Sequence, residues 1–240
     1  YYLTELLYMK KNFYIRLVAM VLSMSFIACS KDDGKMPAKV PASANGTWTD
    51  ARDGEEYKWV RYGDTEWMAE NFRYQSTSDE TACNVYHSYD SRTDGAGVDV
   101  KRWGRLYNYF AAVAAVPDGW RIPTDDDWRK LEQHLGMSAA ESAGRGWRGN
   151  IAPNMLSYYD NRCDLDLLLG GYYTANTIMG TTGWRFMSVW AFYWTSTRDE
   201  EKDGEYYFYR KLTFANDGVY RESIDRAAQC LSLRLVRDAK

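Results

Sequence analysis

Nucleophiles and metal ligands are sparse in this chain of 240 residues: two histidines, His87 and His134, and four cysteines, Cys29, Cys83, Cys163 and Cys230. A hydrolytic zinc site needs two histidines one helical turn apart, and a structural one needs paired cysteines; neither spacing occurs. G-x-S-x-G is absent, as is a glycine loop of the kind that cradles phosphate before a helix. The run from Asp90 to Asp99 offers oxygens at alternate positions, as a calcium loop does. Asp90, Asp94 and Gly95 fit that template, but Arg92 stands where a ligand oxygen belongs and Lys101 where the bidentate Glu belongs. No two carboxylates stand out for glycoside hydrolysis. These residue types therefore predict no catalytic residue, no metal and no cofactor.

Cys29 is the exception. Met9-Lys10-Lys11 begins a basic region, and Leu17 to Ala28 is an apolar run too short to cross a bilayer but right for the core of a signal peptide. The run closes on Phe26-Ile27-Ala28-Cys29, which resembles a bacterial lipobox, where a small residue precedes the cysteine that is acylated and becomes the mature N-terminus. The expected organisation is an upstream extension over 1–8, a lipoprotein signal peptide over 9–28 and a flexible tether over 29–46. The folded part follows over 47–240. Several acyl chains on Cys29 would anchor the protein to a membrane, expected to be the cell outer membrane. Ser30-Lys31-Asp32-Asp33-Gly34 resembles the surface-export signal of Bacteroidetes lipoproteins and reads equally well as a solvated charge cluster, so a periplasmic facing stays open. Of the other cysteines at most one pair can form. Sequence does not choose it; Cys163 with Cys230, both beside predicted strands, is the expectation.

The elements that must position these residues are organised around Gly119-Trp120-Arg121-Ile122-Pro123-Thr124-Asp125-Asp126-Asp127-Trp128. Thr124 is a good N-cap and three acids follow at the positive end of the helix dipole, so a helix is predicted to start at Asp125, with Trp128, Leu131 and Leu135 on one face and Gly136 ending it. His134, near its C-terminus, reads as structural. Leu106 to Val116 has a helical pattern, and Ser138 with Glu141 forms a capping box for a third, short helix. Ahead of them, Tyr57 to Tyr62 and Glu66 to Phe72 flank a turn as an N-terminal hairpin. Behind them, strands are predicted over 165–173, 191–196, 206–214, 219–223 and 231–237, with Asn216-Asp217-Gly218 as a hairpin turn. Charge is balanced at a net −3, with no basic stripe for nucleic acid. Aromatic content is high at 16%, with twenty Tyr and ten Trp, which suits either half-wet aromatic surfaces or an aromatic core. The predicted fold class is α+β, with the first and last strands paired.

Six ordered segments then resemble one family: Thr49 to Tyr57, Trp67-Met68-Ala69-Glu70-Asn71, Gly104-Arg105-Leu106-Tyr107-Asn108, Gly119 to Thr124, Tyr193-Trp194-Thr195-Ser196-Thr197 and Ser232 to Asp238. Together they are similar to the Fibrobacter succinogenes major paralogous domain, over about residues 47–238. The resemblance implies a C-type-lectin-like fold related to formylglycine-generating enzymes, and implies no established activity. Family members commonly carry cysteines where this chain has Val116 and Leu235, which predicts an apolar contact in place of a disulfide. A lectin calcium site is disfavoured because Ala152-Pro153-Asn154 lacks the carboxylate ligand, and the formylglycine chemistry lacks its cysteine pair. The expected function is a non-catalytic recognition module for a glycan or a cell-surface protein. Its expected ligand surface is Trp184, Phe186 and Trp190 from one loop with Tyr86 and Tyr89 from another; the alternative is a structural or assembly subunit.

Overall fold

The computed structural model describes residues 36–75, 85–86, 100–159, 162–174 and 183–239, and those from Pro37 onward belong to one compact unit. A four-stranded antiparallel sheet is built from β1 (Ala44–Thr49), β2 (Glu56–Tyr62), β3 (Thr65–Met68) and β13 (Val236–Asp238), in the order β1-β2-β3-β13. The predicted hairpin is β2–β3, closed by the two-residue loop Gly63-Asp64, where Gly63 at φ +54° supplies the left-handed residue. The second sheet runs β4 (Val85–Tyr86), β5 (Arg105–Tyr107), β12 (Gln229–Ser232), β9 (Trp190–Arg198), β10 (Tyr206–Thr213), β11 (Asn216–Asp225), β6 (Gly146–Arg148). The short pair β7 (Tyr172–Thr174) and β8 (Gly183–Arg185) hangs from β12.

The helices are α1 (Val100–Trp103), α2 (Tyr109–Ala115), α3 (Asp125–His134), α4 (Ala139–Ala143) and α5 (Ala152–Met155). α3 starts where its sequence says: the Thr124 hydroxyl accepts from the Asp127 amide and the Asp127 carboxylate accepts from the Thr124 amide. α4 has the same box from Ser138 and Glu141. Only α3 exceeds seven residues, and strand outweighs helix by 39% to 19% of the described residues. The expected α+β fold with central helices is therefore corrected to a helix-light β-sandwich. Helical pattern misled because alanine-rich or aromatic segments are short here: Leu106 to Val116 divides into β5 and α2, with Asn108 as the N-cap between them.

Other boundaries move for local reasons. First and last strands share a sheet but lie at its opposite edges, since β13 pairs with β3 and β1 with β2. Within 165–173 only the last two residues enter a strand; Asp164 and Asp166 adopt left-handed φ of 63° and 52°, which breaks the extended run. The β10–β11 turn falls at Phe214-Ala215, and Asn216 instead accepts from the Gly218 amide at the start of β11. The segment 231–237 is two strands, because the chain leaves one sheet at Ser232 and joins the other at Val236. Leu231, Leu233 and Leu235 are buried as their alternation requires, but Ser232 and Arg234 between them are buried too.

Two apolar clusters fill the interior. One joins Val60 and Trp67 of the first sheet, Trp128 and Leu131 of α3, and Ala191, Tyr193, Leu212 and Val219 of the second. The other holds Tyr57, Phe72, Tyr107, the α2 alanines, Trp194 and Leu231 to Leu235. Each fully buried side chain of this size contributes about 1.5–3 kcal/mol. Leu235 lies in the second cluster and Val116, half-buried, packs against that cluster, so both positions join one apolar cluster.

Candidate functional site

Side chains alternate across a strand, so β6, β10 and β11 each present two different faces. On the face towards α3 they offer Arg148, Arg210 and Arg221. Arg148 donates through both terminal nitrogens to Glu132, at 2.9 and 3.0 Å, and Arg210 Nε donates to the same carboxylate at 2.6 Å. Arg210 Nη1 and the fork of Arg221 hold Asp125, each at 2.8 Å. Burial pushes the Asp125 carboxyl up, but hydrogen bonds from Arg221 and Arg210 outweigh it and hold its pKa below the ordinary value. This network clamps α3 to the sheet. Three guanidiniums share two carboxylates, each of them ion-paired, so the network acts as cement between helix and sheet.

The opposite face of the same strands is aromatic. Cross-strand register places Trp147 opposite Tyr220, Tyr220 opposite Lys211 and Lys211 opposite Phe192, a row spanning β6, β11, β10 and β9. Rings continue from it in both directions. Trp147 and Tyr220 meet edge-on at 5.2 Å and Trp147 lies 6.0 Å from Trp190. Trp190 reaches Phe186 at 6.2 Å and Phe192 at 6.3 Å, and Tyr172 joins Phe186 at 6.0 Å and Phe192 at 5.1 Å. Tyr209 closes the group between Phe192 and Tyr220. Phe192 is buried at the base, whereas Trp147 is 37% and Phe186 50% exposed. Lys211 lies among the rings, its Nζ 3.8 Å from the Tyr220 centroid, 4.7 Å from Trp190 and 5.2 Å from Trp147. Burial draws its ammonium pKa below the ordinary lysine value.

The structure brings Phe186 and Trp190 of the expected surface together here. Trp184 it places elsewhere: it pairs across β7–β8 with Tyr173, and that pair points to the other side from Tyr172 and Arg185. Trp184 is half-buried, with its ring edge-on to Tyr173. Of Tyr86 only the strand backbone in β4 is described. Tyr89, the run from Asp90 to Asp99, His87, Cys83, Cys29 and the whole of 1–35 lie outside the described residues. The expected Cys163–Cys230 disulfide does not form. Cys163 is a free, buried thiol beneath the first cluster, pushed up by burial to about 11, whereas Cys230 on β12 is disulfide-bonded to a partner outside the described residues. Burial inside an apolar cluster explains why a cysteine beside a strand stays unpaired. Ala152-Pro153-Asn154 forms α5, and Asn154 is spent on the Ala38 carbonyl and Arg162. No metal-binding group of His, Cys, Asp and Glu exists among the described residues.

Trp147, Tyr172, Tyr209, Lys211 and Tyr220 are site residues that sequence reasoning missed. Trp147 follows Gly144 and Gly146, which read as interrupting the short helix after Ser138, and its place in the face exists only through pairing with β11. A signal was present in β10, where Tyr207, Tyr209 and Lys211 alternate with Phe208, Arg210 and Leu212.

The six sequence segments meet at a different place, deep between the sheets. Arg234, fully buried, donates from Nε to the Asn71 side chain at 2.8 Å, and from its terminal nitrogens to the carbonyls of Met68 at 3.0 Å, Leu165 at 2.7 Å and Asp166 at 2.5 Å. Asn71 also accepts from the Tyr193 hydroxyl and donates to the Trp103 carbonyl. Gly104 must lack a side chain: its φ is +74°, and a Cβ there would lie 2.5 Å from that of Asn71. Trp194 Nε1 donates to Tyr107 O at 2.7 Å, and Arg121 exchanges both backbone hydrogen bonds with Val236.

Residues 60–237 match the family described as the Fibrobacter succinogenes major domain, and the chain belongs to that family. No curated protein and no solved structure matches it.

Proposed function

We propose that this chain is a non-catalytic recognition module, held on the outside of the cell by a lipid on Cys29, that binds a glycan across the aromatic face. The observation that carries this is the contiguous set of rings on a rigid sheet, with Trp147 and Phe186 open to solvent. Exposed apolar patches on a single chain mark interaction surfaces. A pyranose shows a face of weakly positive C–H groups, and an indole or phenol face is electron-rich. The two stack while the sugar hydroxyls stay solvated. All of its rings but Phe186 lie on strands, so most are ordered before the ligand arrives and little entropy is lost on binding.

A glycan array probed with the unlipidated Cys29→Ser chain and its Trp147→Ala variant tests this reading. Binding to at least one glycan class, weakened about tenfold by Trp147→Ala, is expected. Absence of binding, or binding indifferent to Trp147, overturns it. For the anchor, Cys29→Ala should move the protein from the membrane to the soluble fraction, and unchanged membrane association would refute lipidation there. A second reading, assembly through a sheet edge, is favoured by β1 lying at the edge of the four-stranded sheet. Concentration-dependent oligomers abolished by a proline within β1 would support it over the first.

A further inference from the structure

Lys211 stands apart from the other cations around these strands. Arg145, Arg210 and Arg221 also lie against rings, and each is matched by carboxylates: Arg145 by Asp199, Glu201 and Glu222, Arg210 by Asp125 and Glu132, and Arg221 by Asp125. Lys211 makes no ion pair among the described residues. The carboxylate nearest in register on its own face, Glu222, is two residues along β11 from Tyr220 and is held by Arg145 at 2.8 Å and Lys202 at 3.4 Å. The centre of the open face thus carries a half-buried ammonium whose neighbours are the rings of Tyr220, Trp190 and Trp147. Rings replace part of the water such a charge has lost, and an anion would restore the rest.

Resting on the reading of this face as a glycan site, we infer that its ligand is an acidic glycan, in which a uronate ring stacks on Trp147 or Trp190 and its carboxylate pairs with Lys211. A uronic acid carries its carboxylate at the ring edge, so one residue can cover an indole and still reach a cation beside it. A polyanion of the nucleic-acid or highly sulfated kind would need a row of free cations; near this face Arg145 and Lys202 are paired with carboxylates, and Arg185, on the side of Tyr172, donates to the Trp184 carbonyl. A neutral sugar would stack equally well and leave the ammonium without a counter-ion. Binding one carboxylate per stacked ring is what one lysine among several aromatics is suited to do.

The test uses the unlipidated full chain and calorimetric titration with hexagalacturonate, the same hexamer fully methyl-esterified, and neutral xylohexaose. The ester keeps ring shape and removes charge. Wild type should bind the acid about tenfold more tightly than the ester. Lys211→Met, which keeps the aliphatic stem among the rings, should reduce that ratio to about twofold or less, and Lys211→Arg should retain most of it. Trp147→Ala should weaken acid and ester alike. Equal binding of acid and ester by wild type, both weakened by Trp147→Ala, overturns the acidic ligand and leaves the glycan reading standing. An acid preference that survives Lys211→Met overturns the role of Lys211. No binding of any of the three, with an empty array, overturns both. The wild-type comparison of acid with ester needs no variant, so a poorly folded Lys211→Met leaves the inference exposed to refutation.

Discussion

The buried frame around Arg234 and the aromatic face around Lys211 each set a cation among aromatic and polar neighbours, and they are built on opposite terms. Arg234 is fully enclosed and its donors are met by the Asn71 side chain and three backbone carbonyls, contributed by segments far apart in the chain. Lys211 is half-buried, its neighbours are rings, and the surface above it is open at Trp147. The frame draws on the segments that identify the family: Asn71, Gly104, Arg121, Tyr193 and Arg234 all fall within them. Trp147, Tyr172, Phe186, Trp190, Phe192, Tyr209, Lys211 and Tyr220 fall outside all six. The six segments thus account for the frame, and the face proposed to meet a ligand is built from residues between them.

That contrast can be broken at several points, first where removal of one group strands others. Glu132→Ala leaves Arg148 and Arg210 buried with a lost counter-charge and should cost about 3–5 kcal/mol, read by urea denaturation. Arg234→Met removes the donor to three backbone carbonyls and to Asn71, which keeps the Tyr193 hydroxyl, and should cost about 2–4 kcal/mol, with Gly104→Ala next at about 1–3 kcal/mol from its left-handed backbone and the clash with Asn71. Neither of the last two should alter a ligand preference in the molecules that remain folded. Acid should act on the carboxylates that hold α3. The Asp125 and Asp127 carboxyls are pushed up by burial but held lower overall by hydrogen bonds, Asp125 by Arg221 and Arg210 and Asp127 by Arg121 and Thr124. A depressed folded pKa stabilises fully above the ordinary carboxylate range, and that contribution is lost as pH falls through the folded value. Thermal unfolding followed from pH 7 downward should show the melting temperature falling below about pH 4, and Asp125→Asn should flatten the fall. The smallest effect on stability belongs to the open face, where Trp147→Ala should cost about 1 kcal/mol or less while weakening binding. A large loss of stability there would make Trp147 a core residue and remove the contrast.

Local signals in the sequence were legible wherever a few consecutive residues decide the outcome. Thr124 and Asp127, Ser138 and Glu141, and the Gly63-Asp64 loop each carry their own geometry, and the structure reproduces them. Fold class was not legible in the same way. Helical spacing over Leu106 to Val116 cannot show that Leu106 and Tyr107 are taken by a strand, because that depends on β12 arriving from more than a hundred residues away. The site was half legible. Phe186 and Trp190 stood out by type, but Trp184 beside them faces the other way, a consequence of β7–β8 pairing. Lys211 looked like any surface lysine until cross-strand register set Tyr220 and Phe192 on either side of it. Position beside a predicted strand, the ground for pairing Cys163 with Cys230, carries no information about the apolar cluster that encloses Cys163 as a free thiol.

The central claim is that ligand meets the open aromatic face and not the frame, and the ten indole N–H signals of the chain offer a direct reading of it. With indole nitrogens labelled and hexagalacturonate, or the best glycan from the array, titrated in, Trp147 and Trp190 should shift progressively and saturably. The enclosed indoles of Trp67, Trp128 and Trp194 should stay in place. Movement confined to Trp184 or to those enclosed rings, with Trp147 and Trp190 unmoved at saturation, would contradict the account.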